Sequence, residues 1–153
     1  MAYELDATEH WINDKLTADA EIVAAGFDEK VYRDQAPDDA EYPFIVFSFQ
    51  AGADVNAVGT ARILTRPIYQ IKVISKGAPD ATARLLANRI DEIFQNAVAE
   101  THSITRTESG GNETESYTFS SRRIEPVSYT ENEQSAKQLY YHRGGLYRIE
   151  VSD

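Results

Sequence analysis

In a chain of 153 residues without cysteine, chemistry must rest on histidine, acidic, hydroxyl or basic side chains. Thiol catalysis, disulfides and cysteine-ligated metal centres are excluded. The three histidines are His10, His102 and His142. No two are three or four residues apart, the spacing that sets paired imidazoles on one helical face as metal ligands. His10 falls in an acidic segment that reads as an exposed helix. His102 follows a predicted helix end, where an imidazole can satisfy free carbonyls. His142 alternates within a predicted strand. All three read as structural. Asp38-Asp39 places two carboxylates together, but the segment lacks the alternating oxygen ligands and glycine of a calcium loop. A carboxylate pair for glycoside hydrolysis must converge in a cleft, which spacing alone does not provide. No Gly-x-Ser-x-Gly elbow, Walker loop or dinucleotide fingerprint is present. The residues therefore predict no catalytic group, no metal and no cofactor.

Nine tyrosines and six phenylalanines are the other conspicuous set. Tyr117, Tyr129, Tyr140, Tyr141 and Tyr147 gather toward the C-terminus among Arg122, Arg123, Arg143 and Arg148. Cross-strand aromatic packing is the first reading. A protein interface is the second, since Tyr and Arg are enriched at hot spots. A nucleic-acid stacking surface is a distant third, because the chain carries 25 acidic and 15 basic residues for a net charge of -10. That charge disfavours sequence-independent binding to DNA or RNA and to anionic membranes. Residues 1–42 contain 12 of the acids and only three bases, Lys15, Lys30 and Arg33. Nearly the whole excess thus sits in the first quarter of the chain.

The elements that would carry these residues follow from periodicity. Thr8–Ala18 reads as a helix capped by Asp6 or Thr8, with Trp11, Ile12 and Leu16 on its apolar stripe. Ala20–Ala25 adds a helical turn ended by Gly26, and Val31–Arg33 a short strand. The run Tyr42–Phe49 reads as a strand buried on both faces. Ala51–Thr60 is small and polar and reads as a flexible loop. Ala61–Ser75 is a strand in which Pro67 marks an edge or a bulge. A turn at Lys76–Asp80 leads into a helix of about twenty residues, capped by Asp80, whose apolar spacing is that of an amphipathic face. Ser103–Thr107 is a short strand and Glu108–Ser116 an exposed, mobile polar loop. Strands follow at Tyr117–Tyr129 and Gln138–Val151. Gly144-Gly145 is either a hairpin turn or a bulge in one long strand. The bulge is favoured, because a hairpin would leave two arms of about six residues with nothing to bury them. The expected fold is one α+β domain over residues 1–153, a largely antiparallel sheet packed against two helices in the order α-β-β-β-α-β-β-β. The N-terminus shows no secretory pattern, and no apolar run approaches the ~20 residues of a membrane span.

Taken in order, Trp11 in an acidic helix, Tyr42-Pro43-Phe44-Ile45-Val46-Phe47, the strand Ile68–Ser75, the helix 80–99 and Tyr140-Tyr141-His142-Arg143-Gly144-Gly145-Leu146-Tyr147-Arg148-Ile149 form a pattern. It resembles the tail-terminator, or tail-completion, proteins of long-tailed bacteriophages and prophages over nearly the whole chain. The resemblance implies a structural virion protein without enzymatic activity, made in the host cytoplasm and located in the tail or neck. Such proteins form a ring of six that caps the tail tube, stops its polymerisation and offers the surface that joins the head. The implied partners are other copies of the chain, the major tail tube protein and a head-completion or connector protein. DNA passes through the ring without specific binding, and no membrane is involved. The alternatives are a connector ring at the neck and, more weakly, a small cytoplasmic enzyme with an acidic cleft.

A ring subunit needs one surface that fits a different surface of its neighbour. The charge split suggests Asp38 and Asp39 against Arg62, Arg66, Arg122 and Arg123 of the next subunit, or else an acidic wall facing DNA. The loops bearing Asp54, Asn56, Glu113 and Glu115 are candidates for contacts with tube or head partners.

Overall fold

A computed structural model describes residues 2–59, 61–78 and 80–153. Thr60 and Pro79, in the expected loop and turn, lie outside the described residues. The described residues form three helices and six strands: α1 (Ala2–Ala18), α2 (Ala20–Ala24), β1 (Val31–Arg33), β2 (Phe44–Asn56), β3 (Arg62–Lys76), α3 (Ala81–Gln95), β4 (Glu100–Glu108), β5 (Gly111–Glu133) and β6 (Gln138–Ser152). The fold is α+β. The strands form one sheet in the order β1-β2-β3-β6-β5-β4. The sheet is mixed rather than antiparallel throughout: β1 runs parallel to β2, and the other neighbours are antiparallel. A third, short helix also modifies the expected two-helix order. Asp19 makes it possible, by accepting hydrogen bonds from the amides of Glu21 and Ile22 as N-cap.

Alternation decides which face is dry. Ile45, Phe47, Tyr69, Ile71, Val73, Tyr147, Ile149, Val151 and Phe119 are buried beneath the helices. The spacing of Ala7, Trp11, Ile12 and Leu16 turns one side of α1 toward them. α3 contributes Ala83, Leu86, Ala87, Ile90 and Phe94. Asp80 caps α3 as its position predicts, accepting from the Thr82 amide. The helix is fifteen residues long rather than twenty. Its last turn docks on the edge of β5. Ser121 Oγ donates to the Phe94 carbonyl, the Ser121 amide to the Ala97 carbonyl and the Arg123 amide to Gln95 Oε1.

Three expected features differ. Ala51–Asn56 is not loop but the continuation of β2, paired to β3 down to Asn56↔Arg62. The small residues carry little strand propensity, and the long-range ladder decides. Gly111–Ser116 likewise belongs to β5, opposite β4. There Ser103–Ser116 and Thr105–Thr114 hydroxyl pairs bridge the strands at 2.7 and 2.9 Å. Gly144-Gly145 is neither hairpin nor bulge, since β6 keeps its register with β3 through Lys72↔Gly144 and Ile71↔Gly145. The bulge falls on the neighbouring strand, at Ile124, between Arg123↔Tyr147 and Glu125↔Leu146. Glycine is required at 144 for close approach: a Cβ there would lie 2.1 Å from the Ile71 carbonyl oxygen and 2.6 Å from Lys72 Cα. Pro67 lies on an internal strand, where β3–β6 pairing is interrupted between Thr65↔Val151 and Ile68↔Arg148.

Because backbone rather than side chain blocks position 144, relief requires β3 and β6 to separate. Gly144→Ala is expected to cost about 1–3 kcal/mol, the usual penalty of overpacking, read as a lowered urea midpoint with an unchanged slope.

Candidate assembly surface

Most carboxylates of the acidic first segment have a partner within the chain. On α1, Glu4 pairs with Arg62 and Glu9 with Arg33. Arg106, on β4, lies 3.8 Å from Asp6. His102 Nε2 is 3.3 Å from Asp14 Oδ2. It therefore faces α1 from β4 rather than capping a helix. In the opposite sense, Lys15 of α1 reaches Glu100 at 2.5 Å. Asp19 and Glu21 converge on Arg89 of α3, at 2.7 and 3.3 Å. Opposite charge thus accompanies apolar burial in seating α1 and α2 on the body.

Pairing within the chain engages three of the six predicted interface charges, Arg62, Arg66 and Arg123. Arg62 is held by Glu4, with Asp54 3.9 Å away. Arg66 bonds Glu150 at 2.9 Å, and Arg123 lies 3.2 Å from Asp91. Asp54 accepts from Thr65 at 2.9 Å, and Glu115 accepts from Arg106 and from the Tyr117 hydroxyl. Glu113 stands opposite Arg106 on the outer ladder, and Asn56 ends β2. Asp38 and Asp39 occupy an exposed turn between β1 and β2, and Arg122 is exposed on β5. Among the described residues, these three take no ion pair. Arg122 instead faces Arg148 directly across the ladder, a like-charge juxtaposition that favours an external anion.

The aromatic residues divide the same way. Tyr69 and Tyr147 are fully buried, and their hydroxyls donate to Glu9 and Asp91. Burial, followed by those carboxylates, pushes both phenols well above the ordinary tyrosine range. On the face away from the helices, His142 stacks on Tyr129 with ring centroids 4.2 Å apart, and Nε2 lies 3.0 Å from Glu131. Burial, and then Lys72, lower the imidazole pKa. Among the described residues, no group of three His, Asp or Glu is arranged to hold a metal.

One groove, of about 480 Å³, opens between α1, α3 and β4 and is lined in part by Asp19, Arg89 and Glu100. Its perturbed carboxylate is already committed. The Arg89 guanidinium, and after it the Ile22 and Glu21 amides, hold Asp19 below its ordinary 3.8 against the opposing effect of burial. Sequence reasoning passed over Arg89. Its detectable signal is the i, i+3 pair with Glu92.

The arrangement defines a class: a small α+β protein whose exceptional residues are committed to packing and whose unspent features lie on its rim and outer face. The sequence profile of the family "Tail completion protein gp17" matches residues 12–114. The chain belongs to this family of bacteriophage tail completion proteins, structural components of the virion tail. No curated protein matches it significantly. Its fold is similar to that of a chain in the virion of a native gene transfer agent particle, with TM-score 0.53 and 17% identity, covering 93% of this chain and 92% of that one.

Asp19 supplies a pH test. A carboxyl whose folded pKa is depressed adds stability above its unfolded pKa, and that contribution is lost as pH falls through the folded value. Asp19→Asn retains an N-cap oxygen but loses the charge. Urea midpoints followed from about pH 5 down to about pH 2 should fall less steeply for the variant than for the parent, with the largest difference at the upper end.

Proposed function

We propose that this chain assembles head-to-tail into a ring that caps the phage tail tube, ends tube polymerisation and presents the surface to which the head is joined. The observation that carries this reading is family membership over residues 12–114. In this reading the partners are further copies of the chain, the tail tube protein and a connector protein on the head side. DNA crosses the ring without specific contacts. The role is structural rather than catalytic, which agrees with perturbed groups that already have structural partners.

The charge geometry narrows the earlier choice of contacts. Arg62, Arg66 and Arg123 are bound to acids of their own chain. A trans ion pair from the Asp38-Asp39 turn therefore best fits Arg122, whose cross-strand neighbour Arg148 adds to the local positive potential. Cis pairing with Arg62, Arg33 and Arg89 likewise engages Glu4, Glu9 and Asp19, carboxylates that a repulsive lumen would need.

Native mass and negative-stain images of the purified protein, alone and on isolated tail tubes, should show a closed ring of six copies. Asp38→Lys combined with Asp39→Lys should weaken assembly at least tenfold at low salt. Adding Arg122→Glu should recover most of that loss. Sedimentation that remains unchanged at every ionic strength would remove this ion pair from the interface.

A further inference from the structure

The sheet ends in two edges, each covered over half its length, and the open halves lie at opposite ends. Register fixes a common level, Ser48↔Gln70↔Leu146↔Glu125, across β2, β3, β6 and β5. On one side of that level β1 covers β2 at Ile45–Phe47, and among the described residues the remainder of β2, to Asn56, has no outer neighbour. On the other edge the pattern is reversed. β4 covers β5 through Phe119, and the end of α3 covers Ser121 and Arg123. Among the described residues, the stretch from Ile124 to Glu133 pairs only with β6.

The direction of the free backbone groups follows from the hydrogen bonds made at the covered halves. The Ile45 amide donates outward to the Lys30 carbonyl, and the Asp34 amide donates to the Phe47 carbonyl. The bulge between Phe49 and Ala51 shifts this parity by one. Beyond it, Gly52, Asp54 and Asn56 turn their main-chain groups away from β3. On β5 the outward amides of Ser121 and Arg123 set the parity, and the bulge at Ile124 shifts it in the same way. Ser128, Thr130 and Asn132 then face outward, as does Pro126, whose missing N–H falls on the free side.

Soluble proteins usually blunt such edges with charge or proline. From Ser48 to Asn56 the only charged residue is Asp54, and there is no proline. Large apolar side chains are exposed beside both open halves: Phe49 and Ile63 at one, Ile124 and Tyr129 at the other. Three reversals of direction separate β2 from β5. A neighbour related by rotation about a ring axis would therefore bring its β5 antiparallel to β2, the favoured pairing.

We infer that the occupant of the β2 edge is a second copy of this chain. Its β5, over Ser128–Asn132, adds alongside Gly52–Asn56 as a lap joint that continues the sheet from subunit to subunit. The covered halves act as stops and limit how far the strands can slide. The offset of the open halves imposes a stagger, the condition under which a sheet closes into a cylinder. This inference rests on the ring reading and supersedes the Asp38-Asp39 contact with Arg122, because setting Ser128 opposite Asn56 carries Arg122 past the end of β2, away from the turn between β1 and β2.

Proline at an outward position removes a donor without breaking an internal ladder bond. Gly52→Pro disables one edge and Thr130→Pro the other. Each variant alone should be monomeric and melt within a few degrees of the parent. An equimolar mixture should form one-to-one dimers and nothing larger, because each partner supplies the edge the other lacks. If either folded variant assembles as the parent does, the lap joint is wrong while the ring reading stands. If the parent remains monomeric even on tail tubes, the ring reading falls and the joint with it. Amide exchange on the unsubstituted protein does not depend on variant folding. Gly52, Asp54 and Thr130 should slow at least tenfold on assembly, whereas Ala53 and Val55 should already be slow in the monomer. No slowing at the first three would overturn the joint.

Discussion

Trp11 is the contact on which the two-layer arrangement depends. Its indole stacks on Phe119 of β5 at 4.8 Å and meets the edge of Phe94 of α3 at 5.6 Å. One side chain therefore ties the first helix, the long helix and the sheet. Aromatic pairs of this kind add about 0.5–1.5 kcal/mol beyond area burial. The ion pairs that surround α1 depend on this placement. Partly exposed charge pairs are individually weak, but Arg62, Arg106 and Arg89 can meet their acids only when the indole has set the helix at the right depth and angle. Apolar contact supplies most of the energy, and charge selects the orientation.

Elements governed by local rules were legible in the sequence. Asp80 as N-cap, the apolar spacing from Ala83 to Phe94 and the doubly buried run Phe44–Phe47 each express a preference within one or two turns or a few strand residues. Features created by distant partners were not. Ala51–Asn56 looks like loop because its residues are small, yet β3 supplies a complete ladder. Glu113 and Glu115 look mobile because their segment is polar, yet the segment pairs with an equally polar β4. The parallel placement of β1 rests on three residue pairs, too few to leave a periodic signal.

The candidate site shows the same division. Asp38, Asp39 and Arg122 were visible as charges and remain exposed, but whether a charge is spent depends on who faces it. Arg62 and Arg66 look as available as Arg122 until Glu4 and Glu150 are placed beside them. Gly144-Gly145 carries the converse lesson. The pair does mark an irregularity, but the irregularity is backbone crowding at β3 rather than a break in β6, and sequence reports only that a side chain is unwelcome.

β5, at 23 residues, is far longer than the usual strand of roughly 3–10 residues. Its length gives the subunit a mechanical grain. Tension applied along the strand is shared simultaneously by every rung that joins β5 to β6 and β4. A pull across it opens the rungs one after another, beginning at the hairpin end near Glu133, where only β6 holds it. The same polypeptide is thus stiff along one axis and peelable along another.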